Sequence, residues 1–326
     1  MVSPPGATLA QAASEDKSRD PVATRILLMM CGSGTIIDPV MTPGIEYALG
    51  ALLFFGLGDL VYKRGAAAGA PPHHFLMVQS WVFTPTVALY GLFTGTLEFS
   101  AAAVQWGALA GVFALVGFYN FAHSLRTGSI SINAPIFRLS FVLTAALAVV
   151  LLGEPLTRYK VAGIALALAA VWLLLGAPAP GDAAGRRESR SSLVRVLIAT
   201  ATVGVGNFVY KLGLQAGANP ASMITAQGVV VITLATAFVA VVDKRVWPSR
   251  AALSYAPRAA VVLALAFVFM VEGMARAEAS VVVPIAQMGF VVTALLGFIF
   301  LRESFTARKG AGLLAALAAL ASLAYG

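Results

Sequence analysis

Of 326 residues, 59% are hydrophobic and 11% charged, with a mean hydropathy of +0.87. A soluble domain carries about 25% charged residues, so this chain lacks the polar surface to face water on all sides. The net charge of +8 sits mostly between apolar runs, as in basic loops beside a membrane, and no aromatic-interleaved basic patch suggests nucleic acid. One cysteine, Cys31, excludes an intramolecular disulfide.

Residues 1–43 read as a tail. The first stretch is polar, with Pro4, Pro5, Asp16, Lys17 and Asp20, a composition that favours disorder. Arg25–Cys31 is apolar but too short to span, and no small-residue cleavage site follows it. A crossing needs about 20 mainly apolar residues. Runs of that kind lie near 45–66, 74–94, 101–122, 129–152 and 157–176, then 194–214, 221–242, 256–275, 279–301 and 306–325. Tight connections such as Gly153–Glu154–Pro155 and Arg302–Glu303–Ser304 predict antiparallel neighbours. Residues 177–192 (APAPGDAAGRRESRSS) read as a linker between units 44–176 and 193–326.

The two units repeat each other. Gly58-Asp59-Leu60-Val61-Tyr62-Lys63 aligns with Gly206-Asn207-Phe208-Val209-Tyr210-Lys211, and Pro72 and Gln79 align with Pro220 and Gln227, at an offset of 148. Residues 135–176 align with 284–325 without gaps at an offset of 149, with 18 identities in 42 positions. These include Phe141/Phe290, Thr144/Thr293, Glu154/Glu303, Thr157/Thr306, Lys160/Lys309 and Gly163/Gly312. Shared Ala and Leu follow from composition, whereas shared Pro, Glu, Thr and Lys in register indicate duplication. An odd number of crossings per unit makes the second copy enter from the opposite face. The expectation is an all-α integral membrane protein of ten transmembrane helices, a 5+5 inverted repeat of the kind secondary transporters use.

Phe55-Gly56-x-Gly58-Asp59-x-Val61-x-Lys63, repeated as Gly204-x-Gly206-Asn207-Phe208-Val209-x-Lys211-x-Gly213, resembles the opening of an EamA repeat. Leu151-Leu152-Gly153-Glu154-Pro155-Leu156-Thr157 and Leu301-Arg302-Glu303-Ser304-Phe305-Thr306 resemble that family's turn between its fourth and fifth helices. The resemblance, to the drug/metabolite transporter superfamily, covers roughly 45–325 and implies transport of a small metabolite. Phe55 stands where the family often has Trp, and Gln79 and Gln227 stand where it often has an Arg that could anchor an anion.

Ionisable groups within a span are costly and ask for a reason. Asp59 pairs either with a ligand or with Lys63, one helical turn on, while its repeat partner Asn207 cannot carry a proton. Arg138 lies well inside the fourth span, opposite Gln287 in the repeat, and needs Asp59, Glu272, water or substrate as partner. Glu272 corresponds to His123, and either could shuttle protons. Tyr119 and Asn120 lie one turn deeper than His123. Tyr62, Tyr210, Lys63 and Lys211 belong either to the site or to the interface belt and snorkelling ends. Gln79 and Gln227 either line a cavity or join helices. Glu154 and Glu303 suit capping. His73 and His74, read as a loop pair without a carboxylate, are not taken as a metal site.

The candidate substrate or coupling set is therefore Asp59, Tyr62, Lys63, Gln79, Tyr119, Asn120, Arg138, Asn207, Tyr210, Lys211, Gln227, Glu272 and Gln287, with no catalytic or metal-ligating residue and no cofactor. Without a Walker motif, the expected function is secondary transport of a small metabolite in the cytoplasmic (inner) membrane, with protons as a coupling candidate. The alternatives are a channel or non-transporting sensor and, further off, a membrane enzyme. Sidedness stays open: six basic residues (Lys17, Arg19, Arg25, Arg158, Lys160, Arg276) fall on the face of the termini and thirteen on the other. That count puts the termini outside, whereas the resemblance implies they are cytoplasmic.

Overall fold

The structure is a computed structural model, and the residues it describes are 44–127, 133, 136–174, 183–292, 295–296 and 306–325. Cys31, Pro135, Thr293 and Glu303, with residues 1–43, lie outside them. The described residues are all-helical, without a strand. The helices are α1 Ile45–Ala67, α2 Pro72–Phe93, α3 Ala101–Thr127, α4 Ser140–Leu152 and α5 Arg158–Leu174, then α6 Ala183–Gln215, α7 Pro220–Asp243, α8 Arg250–Arg276, α9 Ala279–Gln287 and α10 Ala307–Ala324. Thus α6 begins within the stretch read as linker. Seven of the described helices are long and apolar enough to cross a membrane, and Ile136–Leu152 and Ala279–Val292 are shorter apolar helices. Exposed Leu53, Phe93, Val150, Trp172 and Val241 give the exterior an apolar face, which suits acyl chains rather than water.

Much of the identity between the two units is helix-end chemistry. Pro72 and Pro220 open α2 and α7 at the position where a missing N–H is harmless. Thr157 and Thr306 each accept from the backbone N–H three residues on, of Lys160 (3.2 Å) and Lys309 (3.3 Å). Ser100 and Ser249 do the same for α3 and α8, at 3.1 and 3.2 Å. Gly69 and Gly217 end α1 and α6 with φ of 75° and 82°, the left-handed conformation that glycine adopts without penalty.

The helices of one unit pack chiefly against those of the other. α1 lies along α8, α6 along α3 and α5 along α10; α2 packs on α7 and α8, α7 on α3, and α9 on α1 and α4. Each contact has its counterpart under exchange of the units. A Cβ on Gly56 of α1 would meet the Gly289 carbonyl at 2.5 Å, and one on Gly204 of α6 would meet the Ser140 carbonyl at 2.9 Å. At that approach only the absence of a side chain keeps the helices together. Gly56→Ala is expected to cost about 1–3 kcal/mol by overpacking, read as a lower melting temperature in detergent. Gly69→Asn, at an open turn where Asn tolerates the backbone, should change it little.

Candidate functional site

The fourth and ninth spans, each read as one run, are interrupted at matching places. The N–H groups of Leu139 and Met288 bond the carbonyls of Ile136 and Ile285 at 3.0 and 3.1 Å, and those of Val142 and Val291 bond Leu139 and Met288 at 3.0 and 2.9 Å. These are tighter, i→i−3 turns within an otherwise α-helical path. Immediately before the two breaks stand Arg138 and Gln287, repeat partners that meet: the Arg138 guanidinium donates to Gln287 Oε1 at 2.8 Å. The same guanidinium forms an ion pair with Asp59 of α1 and lies 5.8 Å from the Phe55 ring centre and 5.9 Å from that of Phe137. Of the two acidic partners expected for Arg138, Asp59 and Glu272, it is Asp59 that pairs with it. Arg138 is 4% exposed; carboxylate, amide and aromatic faces replace the water it has lost.

Around this pair is a cavity of about 30 Å³, lined by Phe55, Asp59, Tyr62, Phe118, Phe121, Phe137, Arg138, Val203, Asn207, Leu263, Phe267 and Gln287. It has room for about two waters. Five of the expected residues, Asp59, Tyr62, Arg138, Asn207 and Gln287, converge here. Asn207 is 3% exposed, and its amide nitrogen has no hydrogen-bond partner. The sequence reading missed the phenylalanine lining. Phe118 and Phe267 are themselves repeat partners, at an offset of 149, so the self-alignment held the signal that would have selected them.

A second cavity, also about 30 Å³, shares Phe118 and Phe267 and adds Gln79 and Gln227. The Tyr62 hydroxyl donates to Gln79 Oε1, which links the two cavities. Tyr210 packs 6.2 Å from Phe267. The other expected residues lie apart. Tyr119 and Asn120 line an apolar crevice of about 440 Å³ between α2, α3 and α7, where Asn120 accepts from Arg195 at 3.3 Å. Lys63 is half-buried and is not part of the cavity wall. Lys211 donates to the Met274 and Ala277 carbonyls at 2.8 and 2.7 Å, closing the end of α8. Glu272 pairs with Arg276 at 2.5 Å, one turn along the same helix.

Glu154 caps α9 across the repeat boundary, accepting from the Ala279 and Ser280 N–H groups at 2.9 Å each. Lys160 beside it pairs with Glu278. The expectation for His73 and His74 needs correcting. They stand in the first turn of α2 rather than on a loop, and Asp243 at the end of α7 supplies the carboxylate the sequence did not show. His74 Nε2 lies 2.5 Å from Asp243, and His74 Nδ1 accepts from the Ser249 N–H at 3.1 Å. A ring that accepts on Nδ1 carries its proton on Nε2 when neutral, so His74 is built to clasp α7 and α8 rather than to ligate a metal through that nitrogen.

These observations define a multi-pass helical membrane protein whose two repeats both line a small cavity, with an ion pair set among aromatic side chains. The family model for the EamA-like transporter family matches residues 42–176 and 190–325, so the chain belongs to that family and is a membrane transporter of the drug/metabolite type. Among curated proteins none matches it. One solved structure, described only as a crystal structure of a protein, shares the fold with a TM-score of 0.72 at 16% identity, covering 86% of this chain and 97% of that one.

Removing one member of a buried pair leaves an uncompensated charge, a loss of about 3–5 kcal/mol. Asp59→Asn is therefore expected to lower thermal stability in detergent more than the double change Asp59→Asn with Arg138→Gln. Equal losses would mean that the two groups do not compensate each other.

Proposed function

We propose that this chain is a secondary carrier of a small, net-neutral metabolite, with ten crossings arranged as two inverted five-helix units that exchange conformations. The observation that carries this reading is the meeting of Arg138 and Gln287. Repeat-related residues can touch only on the axis that relates the repeats, so the charged centre lies where both units move about it. A central cavity of only about 30 Å³ supports a carrier over a continuously open channel.

The charge of the site indicates the substrate class. Arg138 and Asp59 cancel, so a net anion or cation would leave one buried charge uncompensated. A zwitterion can instead exchange partners, its carboxylate on Arg138 and its ammonium on Asp59, with its apolar part among Phe118, Phe121 and Phe267. Asp59 faces the cavity and Asn207 holds its repeat position, so Asp59 is the group able to carry a coupling proton. The cytoplasmic (inner) membrane is the location this reading takes.

The test is counterflow in proteoliposomes with a radiolabelled panel of zwitterionic amino acids and neutral sugars. Saturable counterflow of a zwitterion, lowered tenfold or more by Arg138→Ala and by Asp59→Asn, is the expected result. Flux that does not saturate and ignores both changes would overturn the carrier.

A further inference from the structure

One repeated pair is made in one unit and unmade in the other. In the first unit the Tyr62 hydroxyl is bonded to Gln79 Oε1. Adding the repeat offset of 148 to both residues gives Tyr210 and Gln227. There the donor and the acceptor both lack partners: the Tyr210 hydroxyl and Gln227 Oε1 have no hydrogen bond, and the residues are 2% and 3% exposed. A buried hydroxyl and a buried carbonyl each pay to stay unbonded. Both are orphaned in the unit whose sister pair is closed.

Tyr62 also stands at a boundary. It lines the central cavity and, on its other side, a vestibule of about 110 Å³ whose wall includes Ala66, Gly69, Pro72 and Leu125. Gly69 is exposed at the turn between α1 and α2, so the vestibule opens at that end of the molecule. Tyr62 is the residue common to the walls of that vestibule and of the cavity that holds Asp59, and its hydroxyl is bonded to Gln79.

We propose that Tyr62–Gln79 and Tyr210–Gln227 are reciprocal latches, one for each face, and that closing one releases the other. This rests on the carrier reading above. Exchanging the conformations of the two units would carry the bond from the first pair to the second and leave the total number of bonds unchanged. Neither face is then strongly favoured, as a protein that must populate both states requires.

Opposite signs test this. The background is Cys31→Ser with Val203→Cys, which places one thiol in the cavity wall. Labelling by a small, membrane-impermeant methanethiosulfonate is timed from each side in right-side-out and inverted vesicles. From the vestibule side, Tyr62→Phe and Gln79→Leu should each speed labelling about two- to tenfold, the worth of one hydrogen bond, and their combination should do no more than either alone. Tyr210→Phe and Gln227→Leu should slow it by a similar factor, because they weaken the state open on that side. Changes of the same sign in both units, or none in either, overturn the latches. If the thiol labels from both sides but its partition ignores all four changes, the latches fail and the carrier stands. If it labels from one side only in every variant, the carrier reading fails first.

Discussion

A guanidinium within a bilayer must be answered on every side, and much of the site follows from how Arg138 is answered. It needs a carboxylate, which fixes α1 through Asp59; a carbonyl oxygen, which brings α9 close through Gln287; and apolar faces that take its flanks, Phe55 and Phe137. No one helix could supply all of these. The interruptions at Leu139 and Met288 lie beside the two polar residues, where α-helical bonding gives way to tighter turns. Irregular backbone at membrane depth is tolerated where protein or a cavity surrounds it, and here it lies next to the cavity.

The approach of α1 and α6 to the broken spans depends on residues with no side chain. Gly56 and Gly204 admit the carbonyls of Gly289 and Ser140 at distances that a methyl group would forbid. Small residues bring the backbones together, and polar side chains then reach across the gap, so close packing and the polar centre are parts of one arrangement.

The duplication was legible because the shared residues perform local tasks. Thr157 and Thr306 cap, Pro72 and Pro220 start helices, and Gly69 and Gly217 end them. Such work depends on neighbours in the chain, and a sequence exposes it. Asp59, Arg138 and Gln287 could also be singled out, since polar groups in apolar runs are conspicuous. Their pairing was not legible: Lys63 sits one turn from Asp59, yet Arg138 pairs with it from another helix. Asp243 could not be placed beside His74 for the same reason, because 169 residues separate them in the chain. The aromatic lining was hidden by composition, since with 19 phenylalanines an individual one draws no notice. The breaks in the fourth and ninth spans were not legible either: Leu139 and Met288, where the bonding changes, are ordinary apolar residues, and the polar Arg138 and Gln287 beside them stand out as site residues rather than as helix interruptions.

The packing of α1 on α8, α3 on α6, α5 on α10 and α9 on both α1 and α4 has a consequence for biosynthesis. A ribosome delivers the first five helices to the membrane before the partners of those helices exist. Arg138 would then wait without Gln287, and the Glu154 carboxylate without the α9 backbone. Until the second unit emerges, the first is a set of inserted helices with lipid on faces meant for protein. Duplication has thus produced something unlike two domains joined in tandem: two half-molecules, each of which serves as the template on which the other completes its fold.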